Sequence, residues 1–400
     1  MVGSDTTPQV PRRHPLIVGC LLLGIAAIPD AMVVPVLKEL TVDRFGVTQG
    51  SAHLFMAVNL FGAVLAVAIL ALLNRRFSSS TLVIGSAALS ALMMGGMAVT
   101  DSWATMLVLR CLEGGTDLVL LAIPLRIIAS AGGRNRYAGR IGAGFTVMMV
   151  SLAIGAGIGG GIGQNSAVMV LWSSVATMTV LLLIAVIVRR TVDNVPRSPR
   201  PEPHNCPLIP KEWIGAGFLA LDRGLAALVS TSLPILLASG FAIGSVTLGI
   251  ALSGMFLALA IFAAPAGILA DYYGGYKIRL IASTMCGVSL TGLGLMAWLP
   301  PVVVLPPCLL VYGAGAAGLM PSAFSTAVRP EASNLVFGSL QAAGQAGYAA
   351  GVLVGLLVFS IVSLPAEAML SWMFPIAGIL FIILNVVLLF GIRTIEKRIA

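Results

Sequence analysis

Seven ionisable residues lie inside long apolar stretches of this 400-residue chain: Asp30, Arg110, Glu113, Asp117, Arg126, Asp222 and Arg223. A charge in hydrocarbon costs about 2.5–3.5 kcal/mol on insertion scales, so each such group needs a partner or a function. Arg110, Glu113 and Asp117 are spaced at offsets of three and seven. At about 100° per residue they fall within roughly 60° of one another on a helix, so one face carries a cation flanked by two acids. Asp30 and Arg110 each sit roughly 10 Å below the same membrane surface, at about 1.5 Å of rise per residue. An Asp30–Arg110 pair is therefore feasible, either as a working contact or as a static bridge. Arg126 lies near the other end of its stretch and is expected to snorkel to headgroups. Asp222 and Arg223 lie about 14 Å in from Trp213, near the midplane. Adjacent helical residues point about 100° apart, so the two do not simply neutralise each other. Substrate contact and helix bridging remain equally open for this pair.

With Arg126 set aside, two cations face four acids in the apolar interior. A carboxyl without a fixed cation in a low dielectric tends to keep its proton. It can release that proton when its surroundings change, which is what coupling to a proton gradient requires. Uncharged polar candidates are His53, Asn59, Tyr312, Gln341, Gln345 and Tyr348. Gln341, Gln345 and Tyr348 form a stripe at i, i+4 and i+7, suited to lining a solute path or to joining helices. His53 reads as a helix-end residue or a proton relay.

The elements that must hold these groups are membrane helices. The chain is 58% hydrophobic and 10% charged, against about 25% charged in soluble domains. Continuous apolar runs of the length a bilayer demands recur near 15–37, 51–73, 81–100, 103–128, 141–163 and 167–188. They recur again near 213–237, 246–270, 280–299, 304–328, 335–360 and 369–391. Between the two sets lies RRTVDNVPRSPRPEPHNCPLIPK, rich in Pro and Arg, which reads as a cytoplasmic connector over 189–212.

The net charge of +8 reports topology, with no nucleic-acid partner implied. Arg12, Arg13, Arg75, Arg76, Arg134, Arg136, Arg140, Lys277, Arg279, Arg329, Arg393, Lys397, Arg398 and the connector's basic residues fall in loops on one side. Only Lys38 and Arg44 fall on the other. This bias places both termini and the connector in the cytoplasm. The five cysteines show no metal-ligand spacing. No nucleotide loop, zinc motif or triad spacing appears, which argues against an ATP-driven pump or an enzyme. The run GAGIGGGIG at 155–163 lies inside an apolar span and reads as close helix packing.

The punctuation repeats on either side of the connector. LALLNRRFSSS after the second span answers GILADYYGGYK after the eighth, and GGRNRYAG after the fourth answers RPEASNLVFG after the tenth. Repeated six-helix halves place a solute site at their interface. In this order of motifs the chain resembles the major facilitator superfamily over nearly its whole length. Gly267, Asp271 and Gly274 match that family's G-x-x-x-D-x-x-G loop. In the first half Asn74 replaces the acid, Leu70 and Phe77 replace the glycines, and Arg75 and Arg76 persist. Arg110 and Gly114, with Glu113 between them, resemble the fourth-helix R-x-x-q-G motif. Gly155, Gly159 and Gly163 resemble the antiporter glycine motif, with Gly160 where a proline is usual.

The resemblance implies an all-α integral membrane fold of twelve helices in two pseudo-symmetric six-helix bundles, 15–188 and 213–391. Cytoplasmic segments 1–14 and 392–400 would flank them. It implies a central cavity lined by the first, fourth, seventh and tenth helices. Drug–proton antiporters of the family use an acid in the first helix beside the fourth-helix Arg, which puts proton coupling on Asp30, Glu113 and Asp117. The expected solute contacts are Arg110, Asp222, Arg223, Tyr312, Gln341, Gln345 and Tyr348. Gly267, Asp271, Gly274, Arg75 and Arg76 would form gating loops. The expected protein is a monomeric carrier in the cytoplasmic membrane, without cofactor or metal. It would exchange protons for a cationic or neutral amphiphile by alternating access. Two alternatives stay open: an uptake symporter or exchanger that clamps an organic anion with Arg110 and Arg223, and a non-transporting receptor on the same scaffold.

Overall fold

A computed structural model describes residues 13–131, 137–194, 210–327 and 334–399. Among them the chain forms thirteen α-helices and no strand. The first half holds α1 (Arg13–Met32), α2 (Gln49–Arg76), α3 (Ser79–Val99), α4 (Trp103–Ser130), α5 (Tyr137–Gly163) and α6 (Ala167–Asp193). The second holds α7 (Pro210–Ala227), α8 (Leu233–Gly240), α9 (Ser245–Tyr273), α10 (Gly275–Gly292), α11 (Pro301–Ala327), α12 (Asn334–Ile361) and α13 (Ala366–Ile399). The middle of the connector, Arg134, Arg136, Arg329 and Cys206 lie outside the described residues, as do the side chains of Asn74, Arg75, Arg140, Asp271 and Gln341.

Among the described residues, eleven stretches are long and apolar enough to cross a membrane. The twelfth expected span, α4, is 28 residues long but is interrupted by Arg110, Glu113, Asp117 and Arg126. What sets α4 apart from the other spans is this number of charged residues.

Local signals set the helix ends. Thr48, Ser78 and Ser102 cap α2, α3 and α4 by accepting from the backbone N–H three residues on, which satisfies groups the helix leaves open. Arg44 closes the far end of α3 by donating to the carbonyls of Met97, Ala98 and Thr100 at 3.0, 2.9 and 2.6 Å. Gly274 turns α9 directly into α10 at φ +89°, a conformation that favours glycine. The seventh span stays helical throughout: a π-helical turn at Leu228–Ser232 joins α7 to α8, with Pro234 just beyond it.

The halves use one pairing scheme. In the first, α2 packs on α4, α1 on α5 and α3 on α6. In the second, α9 packs on α11, α7 on α12 and α10 on α13. The main pairs joining the halves are α5 with α9 and α2 with α12. At the first of these Gly160 and Gly249 meet backbone to backbone, so that a methyl on either would land on the other's main chain. Ser245 donates to the Gly160 carbonyl at 3.2 Å and Ser253 to that of Ala153 at 2.6 Å. At the second, Gly50 faces Ser360, and His53 reaches Ser232 of the π-turn at 2.9 Å. All of these contacts lie toward the end of the bundle away from the chain termini, where the halves are closed against each other.

Candidate functional site

The first cluster is built on α1, α2 and α4. Gly62 and Gly114 let α2 and α4 approach until side chains would clash with backbone at Cys111 and Asn59. That approach brings Asn59 over the charged face of α4. Its amide donates to Glu113 Oε2 at 3.0 Å and to Asp117 Oδ2 at 3.2 Å. Arg110 donates to the same Glu113 oxygen and lies over the Phe55 ring, 4.9 Å from its centroid. Asp30 of α1 joins them. Oxygens of Asp30, Glu113 and Asp117 all lie within 4.8 Å of one another. Glu113 is fully buried, and among the described residues its Oε1 and the Nε of Arg110 have no hydrogen-bond partner.

The i, i+3, i+7 spacing therefore does what the helical wheel requires. The direct Asp30–Arg110 pair is a different matter: the guanidinium bonds Glu113, one turn along its own helix, because that oxygen is already held toward it by Asn59. Arg126 also departs from the expectation of snorkelling, since it donates to Ser79 at the start of α3 at 2.7 Å.

The second cluster resolves the Asp222–Arg223 pair. Asp222 accepts two bonds from Arg279 of α10, at 2.6 and 2.7 Å. Arg279 follows the eighth span and was counted with the loop charges. It is instead fully buried, because Gly274 starts α10 early enough to carry it more than one turn into the helix. Its Nε and Nη2 also donate to Asn385 of α13, at 2.8 and 2.6 Å, and Nη1 to the Leu319 carbonyl at 2.9 Å. These contacts use all five guanidinium N–H groups, and the ring of Phe218 lies 4.2 Å away. Arg279 and Asn385 were missed as site residues; an Asn inside the apolar run FIILNVVLLF of the last span was the available signal. Counting Arg279, three interior cations rather than two face the four acids.

Arg223 points the other way. It is half-buried with Tyr312 and Tyr348 as neighbours, and its stem passes Gly344 of α12. Tyr348 shares a 2.6 Å hydrogen bond with Ser230 of the π-turn and packs against the core of the first half. Arg223, Asp30 and Arg110 are all near enough to Tyr348 to act on it electrostatically. Gln345 of the same stripe is exposed. Of the loop residues, Gly267 lies beside Pro321 and Arg76 is exposed. His53 is fully buried. Its Nδ1 donates to the Gln49 carbonyl at 2.9 Å, so in the neutral ring Nε2 accepts from Ser232. It is neither a plain helix-end residue nor in contact with the acids; it ties one half to the other.

A sequence model described as the Major Facilitator Superfamily matches residues 19–223. The fold is similar to that of a crystal structure of the nucleoside transporter NupG. The TM-score is 0.69 at 14% sequence identity, covering 95% of this chain and 99% of that one. At that identity the likeness is one of fold. No curated protein matches the chain by sequence.

Proposed function

The chain belongs to the Major Facilitator Superfamily, and we propose that it is a proton-coupled carrier whose coupling group is the Asp30–Glu113–Asp117 cluster. A membrane protein of this family moves small solutes, and the polar groups here gather where the halves meet. The observation that carries the reading is three carboxyl groups within 4.8 Å of one another, with Arg110 bonded to only one of them. Like charges at this separation do not all ionise in a dry site. The cluster then shares protons, and its proton count changes when one side of the molecule opens to water. The unpartnered Oε1 of Glu113 is the atom such a proton would occupy.

With the basic ends of the helices in the cytoplasm, the halves as seen are closed toward the outside. Access then alternates by rocking about the α5–α9 and α2–α12 contacts. Asp30 and Asp117, neither ion-paired, favour exchange of a proton against a cationic or neutral amphiphile, hence export. Arg223, on the facing side, favours a second reading, in which an organic anion and a proton move together. Both use the same coupling cluster.

The test is flux of ethidium in proteoliposomes under an imposed pH gradient, with the flux of benzenesulfonate followed in parallel. Asp30→Asn and Glu113→Gln are expected to abolish gradient-driven movement of whichever solute the wild type carries. Undiminished flux in both variants would sink the coupling role.

A further inference from the structure

We infer that Arg223, Tyr312 and Tyr348 form an anion subsite, and that the solute which occupies it carries a carboxylate or sulfonate on an aromatic or similarly flat body. This rests on the second reading above, in which an organic anion moves together with a proton, and it deepens that reading by naming the chemistry of the anion.

Each interior cation but one is accounted for. Arg110 is bonded to Glu113, Arg126 to Ser79, and Arg279 uses all its donors on Asp222, Asn385 and a carbonyl. The natural counter-ion for Arg223 is Asp222, its neighbour in sequence. Both oxygens of Asp222 are taken by Arg279, and helical geometry turns Arg223 to another face. Among the described residues no hydrogen bond or ion pair reaches its guanidinium. Arg223 is half-buried, and a guanidinium without a protein partner at the interface of the halves is available to an anion on the solute path.

A second group points to the same place. Tyr312 is only 4% exposed, in the core of the second half. It lies near enough to Arg223 to act on it electrostatically, so its hydroxyl is a second donor for an anion there. Tyr348 closes the other side, its ring against the first half and its hydroxyl fixed by Ser230. The glycine at 344 leaves the Arg223 stem room: a methyl there would stand 3.3 Å from its Cγ. A planar guanidinium with two phenol rings suits a flat monoanion, which it can grip in a bidentate manner. A permanent cation would be repelled.

The experiment is equilibrium binding to the purified full-length protein in detergent at fixed pH, which requires no gradient and so stands apart from the coupling test. Benzoate and benzenesulfonate are compared with benzamide and benzylamine by calorimetry and thermal shift. The two anions are expected to bind and stabilise the wild type, and the amide and amine are not. Arg223→Ala is expected to weaken anion binding at least tenfold. Arg223→Lys should recover part of the loss, and Tyr312→Phe should weaken binding severalfold without lowering the unfolding temperature. If Arg223→Ala does not fold, the Lys and Phe variants decide. Equal binding of amide and anion, anion binding unchanged in these variants, or no binding of either anion to the wild type would overturn the subsite.

Discussion

Arg110 and Arg279 are both buried in apolar helices, at opposite halves of a molecule built twice on one pairing scheme. Arg279 spends five N–H groups on five bonds, grips both oxygens of Asp222, and takes its remaining support from Asn385 and a carbonyl. Arg110 bonds one oxygen of one acid, leaves its Nε without a partner, and has two further carboxyl groups close by. The same fold thus holds one charge cluster that is saturated and one that is not. A saturated cluster holds helices in place, because any change leaves a buried charge uncompensated. An unsaturated one can gain or lose a proton or a ligand without taking the scaffold apart. Where two halves of a carrier repeat each other, the place to look for function is the half whose polar groups do not balance.

The sharpest way to break this comparison is to remove Arg279. Arg279→Ala strands Asp222 and is expected to cost about 3–5 kcal/mol, read as a large fall in unfolding temperature in detergent. Loss of the protein altogether would agree, and a variant of wild-type stability would show that the second cluster is no lock. A smaller effect is expected on the other side. Asp117→Asn removes one like charge while keeping an acceptor for Asn59, so stability should change by no more than about 1 kcal/mol. A loss as large as that for Arg279→Ala would make the first cluster structural as well.

The smallest effect sharpens the rule on an acid outside the spans. Glu39 is half-buried beyond α1, with one oxygen unpartnered, and burial pushes its carboxyl above the ordinary value of 4.5 while Lys38 opposes the shift. The folded state then binds this proton more tightly than the unfolded state. Its contribution to stability falls as pH rises from about 4.5 through the raised folded value. Glu39→Gln should flatten that slope and add less than about 1 kcal/mol at pH 7, since the group is partly solvated. A slope unchanged in the Gln variant would show that burial of Glu39 is immaterial.

Much of this was readable in the residues alone. The helices follow from continuous apolar runs, and their starts from Thr48, Ser78 and Ser102. The charged face of α4 follows from offsets of three and seven, because residues on one helix have a fixed geometry. What escaped were relations between helices. Arg279 follows Lys277 in a short loop, and only the left-handed turn at Gly274 shows that the loop ends before it. The partner of Asp222 depends on how α7, α10 and α13 pack, and no periodicity reports that. The same holds for His53 and Ser232, which lie far apart in sequence and belong to different halves. Asp30 meets the acids of α4, but which acid the α4 arginine would bond depended on Asn59 of a third helix.

The bare contact of Gly160 with Gly249 has one more consequence. Interlocking side chains behave like gear teeth and hold two bodies at a few fixed settings. At Gly160 and Gly249 two stretches of naked peptide touch like a plain bearing, and the serine bonds beside them are what must re-form when the bodies tilt. The glycine contact itself favours no one tilt over another. The resting attitude of this molecule falls to whatever occupies its middle and to the hydrogen bonds at its rim.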